Sequence, residues 1–387
     1  MIDFAKLTVL LIEGSDRQIM PVMQSLHDLG VKMITLNRSR LEFGYASRYP
    51  AVKCLLPPDA REEPAYCRHL LELVEKHRVD VIIPLSDFTA SVLSKHKNEF
   101  TPCVKVAVND WEIFQRATDK QKTMLCCQQS ALPHPRTLVD VASADDVVRG
   151  NLGYPLVLKP RTASGSIGFH RIDSEEQLRR VFPEADAKNG PMLAQEYIPQ
   201  TDIQYKCEVF IDSAGDVKSA VVFDKTRWYP IDGGSTCCSA SVLRPDIVES
   251  SVRLLQAMGW RGYGDVDLIQ DPRDHVAKIM EVNPRITASV KVCFAAGVDF
   301  ARQILEDVMG EPVTPMMEYS PGQVLRYLHT DVLWFIQSPD RFRCKPSWFS
   351  WKNTTDQIFN PKDPWPFFVF SLHALAMFGP EMKKRKR

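Results

Sequence analysis

An excess of charge of either sign is missing from this sequence. Lys plus Arg and Asp plus Glu number 48 each in 387 residues. No overall field therefore draws the chain to nucleic acid, and a charged ligand must be held locally. A membrane-spanning run is missing too, because the apolar stretch Phe367–Phe378 is shorter than the ~20 residues a bilayer requires. The start, "MIDFAKLTVLLIEG", carries Asp3 and Glu13 and lacks the cationic flank and long apolar core of a secretory signal. Ten cysteines are present, yet none stands in a CxxC or at zinc-ligand spacing; Cys126-Cys127 and Cys237-Cys238 are adjacent pairs. They read as free thiols, and the expected location is cytoplasmic. The first turn, "IEGSDRQ", is no GxGxxG, which argues against a dinucleotide-binding dehydrogenase. No serine sits in a nucleophile elbow.

What is present divides the chain. "LTVLLIEG", "VKMITLN" and "VDVIIPL" alternate with helical stretches, the first helix closing at Gly30. That alternation predicts a parallel α/β domain over residues 1–110. Arg38, Ser86 and Asp87 fall near its strand ends and read as ordinary turn residues. Residues 111–315 form an α+β region in two parts, 111–192 and 193–315, and 316–387 a C-terminal extension. In the first part, the strand "YPLVLKP" ends at Lys159 and leads into the small-residue loop Thr162–Gly168. Such a loop lets backbone N–H groups approach an anion. In the second part, "YKCEVFIDSAGDVKSAVVFDKTR" is a hairpin turning at Ser213–Asp216.

The strongest chemical signal is a second hairpin, "GYGDVDLIQDPRDHVAKIMEVNPR". Alternation places Ala277, Ile279, Glu281 and Asn283 on one face of its second strand, and Asp265, Asp267 and Ile269 on one face of its first. With the turn at "DPRD", Asp267 comes close to opposite Glu281. Two carboxylates and an amide oxygen suit a hard divalent cation that shares its remaining sites with phosphate oxygens. Glu281 stands between apolar neighbours, where an unpaired carboxylate is costly.

In this order the elements resemble the ATP-grasp superfamily, especially its branch similar to carbamoyl-phosphate synthase large subunits and amino-acid ligases. The resemblance covers roughly Asp110–Pro312 and closes with E-x-N-P-R. It implies a parallel-sheet domain preceding a two-part ATP-grasp domain, with ATP and Mg2+ (or Mn2+) as cofactors. Lys120 and Lys159 would neutralise the ATP phosphates. Backbone amides of Ser164, Gly165 and Ser166 would line the β/γ-phosphates. Glu196 would accept the adenine amino proton, and Tyr197 and Ile198 would read the ring edge through their backbone. Gln204 and Glu208 stand where relatives hold the ribose, Gln204 in place of the family's usual glutamate. Asp267, Glu281 and Asn283 would hold the metal, and Arg285 would stabilise the transferring phosphoryl group. Lys225 and Arg227 would face the substrate, beside a Gly233-Gly234-Ser235 flap.

The implied activity is ADP-forming ligation of a carboxylate to an amine through an acyl phosphate, with small-molecule substrates and no nucleic acid. Two alternatives stay open: carbamoyl-phosphate-type activation of bicarbonate, and a nucleotide-binding protein without turnover. The first is disfavoured by a single grasp unit and the lack of a glutaminase segment. The tail from about Glu318 lies outside the resemblance. Rich in Trp, Phe and Pro and ending in "KKRKR", it fits either a helix packed on the grasp domain or a peripheral contact with anionic lipid.

Overall fold

The computed structural model describes residues 2–162, 167–199, 203–231 and 235–374. The first sheet contains β1 (Thr8–Ile12), β2 (Lys32–Asn37), β3 (Val52–Leu55), β4 (Val81–Pro84) and β5 (Lys105–Val106). All are parallel, in the order β3-β2-β1-β4-β5. Every residue of β1 and β4 is buried, as central parallel strands covered on both faces must be. The helix Ile19–Asp28 follows β1, and Gly30 turns the chain at φ +81° just beyond it.

A small antiparallel sheet follows: β6 (Thr137–Leu138), β7 (Leu156–Pro160), β8 (His170–Ile172) and β9 (Met192–Glu196), ordered β6-β9-β7-β8. The third sheet holds β10 (Gln204–Ile211), β11 (Val217–Tyr229), β12 (Ser235–Val242), β13 (Gly262–Gln270), β14 (Ala277–Asn283), β15 (Val324–Arg326) and β16 (Thr354–Asp356). Its order is β14-β13-β10-β11-β12-β15-β16. The C-terminal extension is therefore no appendage. Its strands β15 and β16 continue the sheet that carries the β13–β14 hairpin, across the boundary expected near residue 315.

The extension is also tied to the first unit. Asp363, fully buried, accepts from the Ser47 hydroxyl at 2.5 Å and from the Arg48 N–H. The buried Lys291 ammonium donates to the carbonyls of Asp356 and Phe359 at 2.6 and 2.9 Å. One apolar core runs from Val9 and Ile83 through Phe210, Phe223 and Phe300 to Leu325 and Ile358. Residues 365–374 are helical, with Phe367 and Phe370 packed on that core, while Trp365, Phe368 and Leu372 face outward. The described part of the tail thus follows the packed-helix alternative on its inner face. No helix among the described residues is long and apolar enough to cross a membrane.

Candidate active site

The hairpin builds the floor of the site. Asp267 and Glu281 are direct partners in the β13–β14 ladder, and Asp265 pairs with Asn283. Strict alternation, however, fails beyond that pair. The register shifts between Asp267 and Leu268, so that Leu268 meets Ile279 and Met280 becomes the extra residue. Ala277 and Ile279 consequently turn into the core with Val266, Leu268 and Val282. They do not share the face of Glu281 and Asn283 as expected.

Lysines from the neighbouring strands complete this floor. Lys206 of β10 contacts Asp265 and lies 3.2 Å from Asp267, and Lys225 of β11 lies 2.5 Å from Asp267. Asn283 donates its amide N–H to Asp267 at 2.9 Å. Burial by itself would raise the Asp267 carboxyl; Lys206 and Lys225 outweigh it and hold Asp267 well below the usual carboxylate range. Lys206 was absent from the expected set, although alternation along "QYKCEV" puts it on the same face as Gln204 and Glu208.

The small sheet and the helix Lys120–Gln129 bring the opposing cations. Lys120 approaches Glu281 at 3.5 Å. Lys159 donates to Gln195 at 3.0 Å, and burial pushes its ammonium down to about 8 against the pull of Glu281. A local device fixes these two lysines relative to each other. Asp119 caps the helix Lys120–Gln129 and forms an ion pair with Arg161, two residues past Lys159. The Lys120 N–H also donates to the Arg161 carbonyl.

Arg285 follows the hairpin and makes a two-pronged ion pair with Asp87, at 2.8 and 3.0 Å. Ser86 sets Asp87 in place as the N-cap of the helix Asp87–Lys95, in a reciprocal capping box with Thr89. Asp87 is thus more than a turn residue: it joins the first sheet to the site.

Three expectations meet a different geometry. Arg227 does not face the cleft. Register shifts on both sides of it in β11 turn its guanidinium inward, where it is 1% exposed and clasps Asp331 at 2.7 and 3.1 Å. Glu208 is fully buried and accepts from Thr287, Ser289 and Cys293, so its carboxylate is enclosed and unavailable to a ribose. The Glu196 carboxylate is already engaged by the Arg136 N–H at 2.9 Å and Arg273 at 3.1 Å. Tyr197 stacks under Arg171, with the guanidinium 4.6 Å from the ring, and Ile198 is buried. Gln204 pairs with Lys225 in register, at the edge of the floor. Ser164, Gly165, Ser166, Gly233 and Gly234 lie outside the described residues.

A cavity of about 390 Å³ extends from Asp267, Asn283 and Arg285 to the first loop, Ser15–Gln18, and to Tyr327, Gln357 and Phe370 of the extension. Hard oxygen donors at Asp267, Glu281 and Asn283 fit a magnesium-type cation. Among the described residues no three His, Cys, Asp or Glu side chains cluster as a metal cage. Such a cation would therefore rest on two carboxylates and complete its shell with phosphate oxygens and water, as magnesium characteristically does.

Comparison with known proteins bears on the fold and on the domain that carries these residues. Residues 117–289 match the family model described as the ATP-grasp domain. The D-aspartate ligase of Enterococcus faecium is 24% identical over 281 residues, covering 65% of each chain. The chain thus spans just under two thirds of that relative's length. Among solved structures, a Campylobacter jejuni biotin carboxylase complexed with β,γ-ATP has a TM-score of 0.68 at 18% identity, covering 83% of this chain and 75% of that one. The L-amino acid ligase of Bacillus licheniformis has a TM-score of 0.63 at 19% identity, covering 82% and 78%.

Proposed function

With residues 117–289 an ATP-grasp domain, we propose that the chain is an ATP-dependent, ADP-forming carboxylate–amine ligase acting through an acyl phosphate. The observation that carries this reading is the meeting of two surfaces. Lys159 comes from the small sheet and Lys120 from the start of the helix Lys120–Gln129, tied to that sheet through Arg161. The Asp267–Glu281–Asn283 face comes from the third sheet, with Lys120 and Glu281 in ion-pair contact. Cations above and hard acceptors below are what a polyphosphate with its magnesium needs.

In this reading Lys120 and Lys159 bind phosphate oxygens as point charges. Asp267, Glu281 and Asn283 hold Mg2+ or Mn2+, which would screen the γ-phosphate from an approaching carboxylate. Hinge residues Glu196–Ile198 bind the base through their backbone, and Gln204 borders the ribose. Ser164, Gly165 and Ser166 keep their proposed role at the β/γ-phosphates. Arg285, held by Asp87, faces the transferring phosphoryl group, and Lys225 stands between it and the acceptor end. A substrate carboxylate attacks the γ-phosphorus with ADP as leaving group; an amine then displaces orthophosphate. Positioning and charge clamping supply most of the acceleration, so the chain needs no nucleophile of its own. The C–N bond is supported by the likeness to D-aspartate ligase and the fold shared with an L-amino acid ligase.

We propose further that the protein is cytoplasmic and makes a peripheral contact with anionic lipid through its C-terminal region. Exposed Phe342, Phe349 and Trp351 beside exposed Arg343, Lys345 and Lys352 support that contact.

The test is product analysis over a panel of amino acids and hydroxy acids. ADP and orthophosphate should appear only with the right pair, and hydroxylamine should trap the acyl phosphate as a hydroxamate. AMP and pyrophosphate as products would overturn the assignment.

A further inference from the structure

The cations of the cavity are not alike. Arg285 is clasped by Asp87, and Lys206 and Lys225 by Asp265 and Asp267. Arg17, in the loop after β1, is the exception. Among the described residues no carboxylate comes within 4.0 Å of its guanidinium. Its Nη1 donates to the neutral Gln357 Oε1 at 2.7 Å, and the group lies 4.3 Å from the Tyr327 ring centroid.

Gln357 is itself held in one orientation. Its side-chain amide donates to the Ala288 carbonyl at 2.6 Å and its backbone N–H to the Arg326 carbonyl. The acceptor offered to Arg17 is therefore built in, on the segment directly following β16. A half-buried guanidinium whose direct partners are a neutral amide and an aromatic ring, with Asp16 and Asp356 acting on it only from beyond ion-pair distance, is an incomplete arrangement. Burying a cation is costly unless an anion joins it, and the planar fork of arginine matches a carboxylate.

Resting on the ligase reading above, we propose that Arg17, Gln357 and Tyr327 form a subsite for a carboxylate of the non-nucleotide substrate. This carboxylate is additional to the one that is phosphorylated. The location favours it over a nucleotide phosphate: Lys120 and Lys159 do not line this cavity, whereas the first loop and the C-terminal extension do. The substrate class that follows is a small dicarboxylic acid or acidic amino acid. The extension thereby becomes part of substrate selection.

Melting temperatures of the full chain without nucleotide, with succinate, aspartate, alanine or inorganic phosphate, test this directly. Succinate and aspartate should raise the wild-type melting temperature more than alanine does. Arg17→Met should abolish that difference, Arg17→Lys should retain part of it, and the shift caused by Mg-ATP should persist in both variants. With a turnover assay in hand, Arg17→Met should raise KM for the acidic substrate about ten- to hundred-fold, the loss of one charge-assisted hydrogen bond, at unchanged KM for ATP. An unchanged succinate response in Arg17→Met overturns the proposal. So does the lack of any wild-type response to either dicarboxylate, or equal protection by phosphate. Loss of the Mg-ATP shift in the wild type would instead sink the ATP-grasp ligase reading, so the two failures are distinguishable.

Discussion

Asp267 and Glu281 face each other across two hydrogen-bonded strands, and a one-residue bulge beginning beside them sends their neighbours Leu268 and Ile279 into the core. The bulge lets one hairpin serve two purposes. It anchors itself with apolar side chains at one end of the ladder and presents two carboxylates to the cleft at the other.

Glu281→Gln should fold and lose metal-dependent turnover. The exchange keeps shape and hydrogen-bonding capacity while removing one formal charge from the proposed cation site. We expect a fall of roughly 10²-fold or more in phosphate release, the scale of losing one strong electrostatic contact at a transferring group. Melting temperature without ligand should change little, because relief of repulsion with Asp267 offsets the lost pairing with Lys120. Near wild-type turnover at limiting magnesium would refute the metal assignment.

Asp331→Ala should destabilise the protein by ~3–5 kcal/mol, the range for breaking a buried ion pair from one side. Asp331 is fully buried between two arginines, accepting from Arg227 and from Arg326, which are each 1% exposed. Removing it leaves two buried guanidinium groups without their shared carboxylate. Urea unfolding at pH 7 measures the effect. Wild-type stability would show that the triad is dispensable and reopen a substrate role for Arg227.

Deleting the five basic residues 383–387 should weaken sedimentation with phosphatidylserine vesicles at low salt and leave stability unchanged. Each cation near an anionic surface contributes about 1 kcal/mol, so partitioning should drop at least tenfold. These residues lie beyond the helical segment that packs Phe367 and Phe370, so the deletion spares that packing. Full-length protein that ignores such vesicles would end the idea of a lipid contact.

Much of this arrangement was legible in the sequence because it rests on local periodicity. The strands "LTVLLI" and "VIIP", the closing glycine of the first helix and the pairing of Asp267 with Glu281 all follow from spacing and turn residues. What could not be read depends on events that spacing does not encode. A bulge at Met280 reverses the facing of Ala277 and Ile279, and a second irregularity around Arg227 turns that side chain from cleft to interior. The pairing of Arg285 with Asp87 joins residues 198 positions apart. The cleft wall at Gln357 comes from a segment that resembled nothing, and only the added strands β15 and β16 bring it there. Lys206 is a different case: its alternation with Gln204 and Glu208 along β10 is plain in the sequence.

Glu208 should make stability depend on pH in a direction opposite to that of an ordinary paired carboxylate. Burial, reinforced by nearby Asp265 and opposed by Lys206, pushes its carboxyl up to about 8 from an ordinary 4.5. Between those values the folded protein holds a proton that the unfolded chain has released. The contribution of Glu208 to stability is therefore fully present below pH 4.5 and is lost as pH rises through 8. Hydrogen bonds donated by Ser289 and Cys293 pull the other way, toward the ionised form, without offsetting burial. Glu208→Gln supplies a permanently neutral side chain of the same shape. Its melting temperature should fall less than that of the wild type between pH 6.5 and 9, and at pH 9 the variant should melt higher. Asp16, pushed up to about 6 by burial, adds a slope of the same sign at lower pH in both proteins, so the difference between them isolates Glu208. Parallel pH profiles for the two proteins would mean that Glu208 is ionised in the fold and that Lys206 dominates its surroundings.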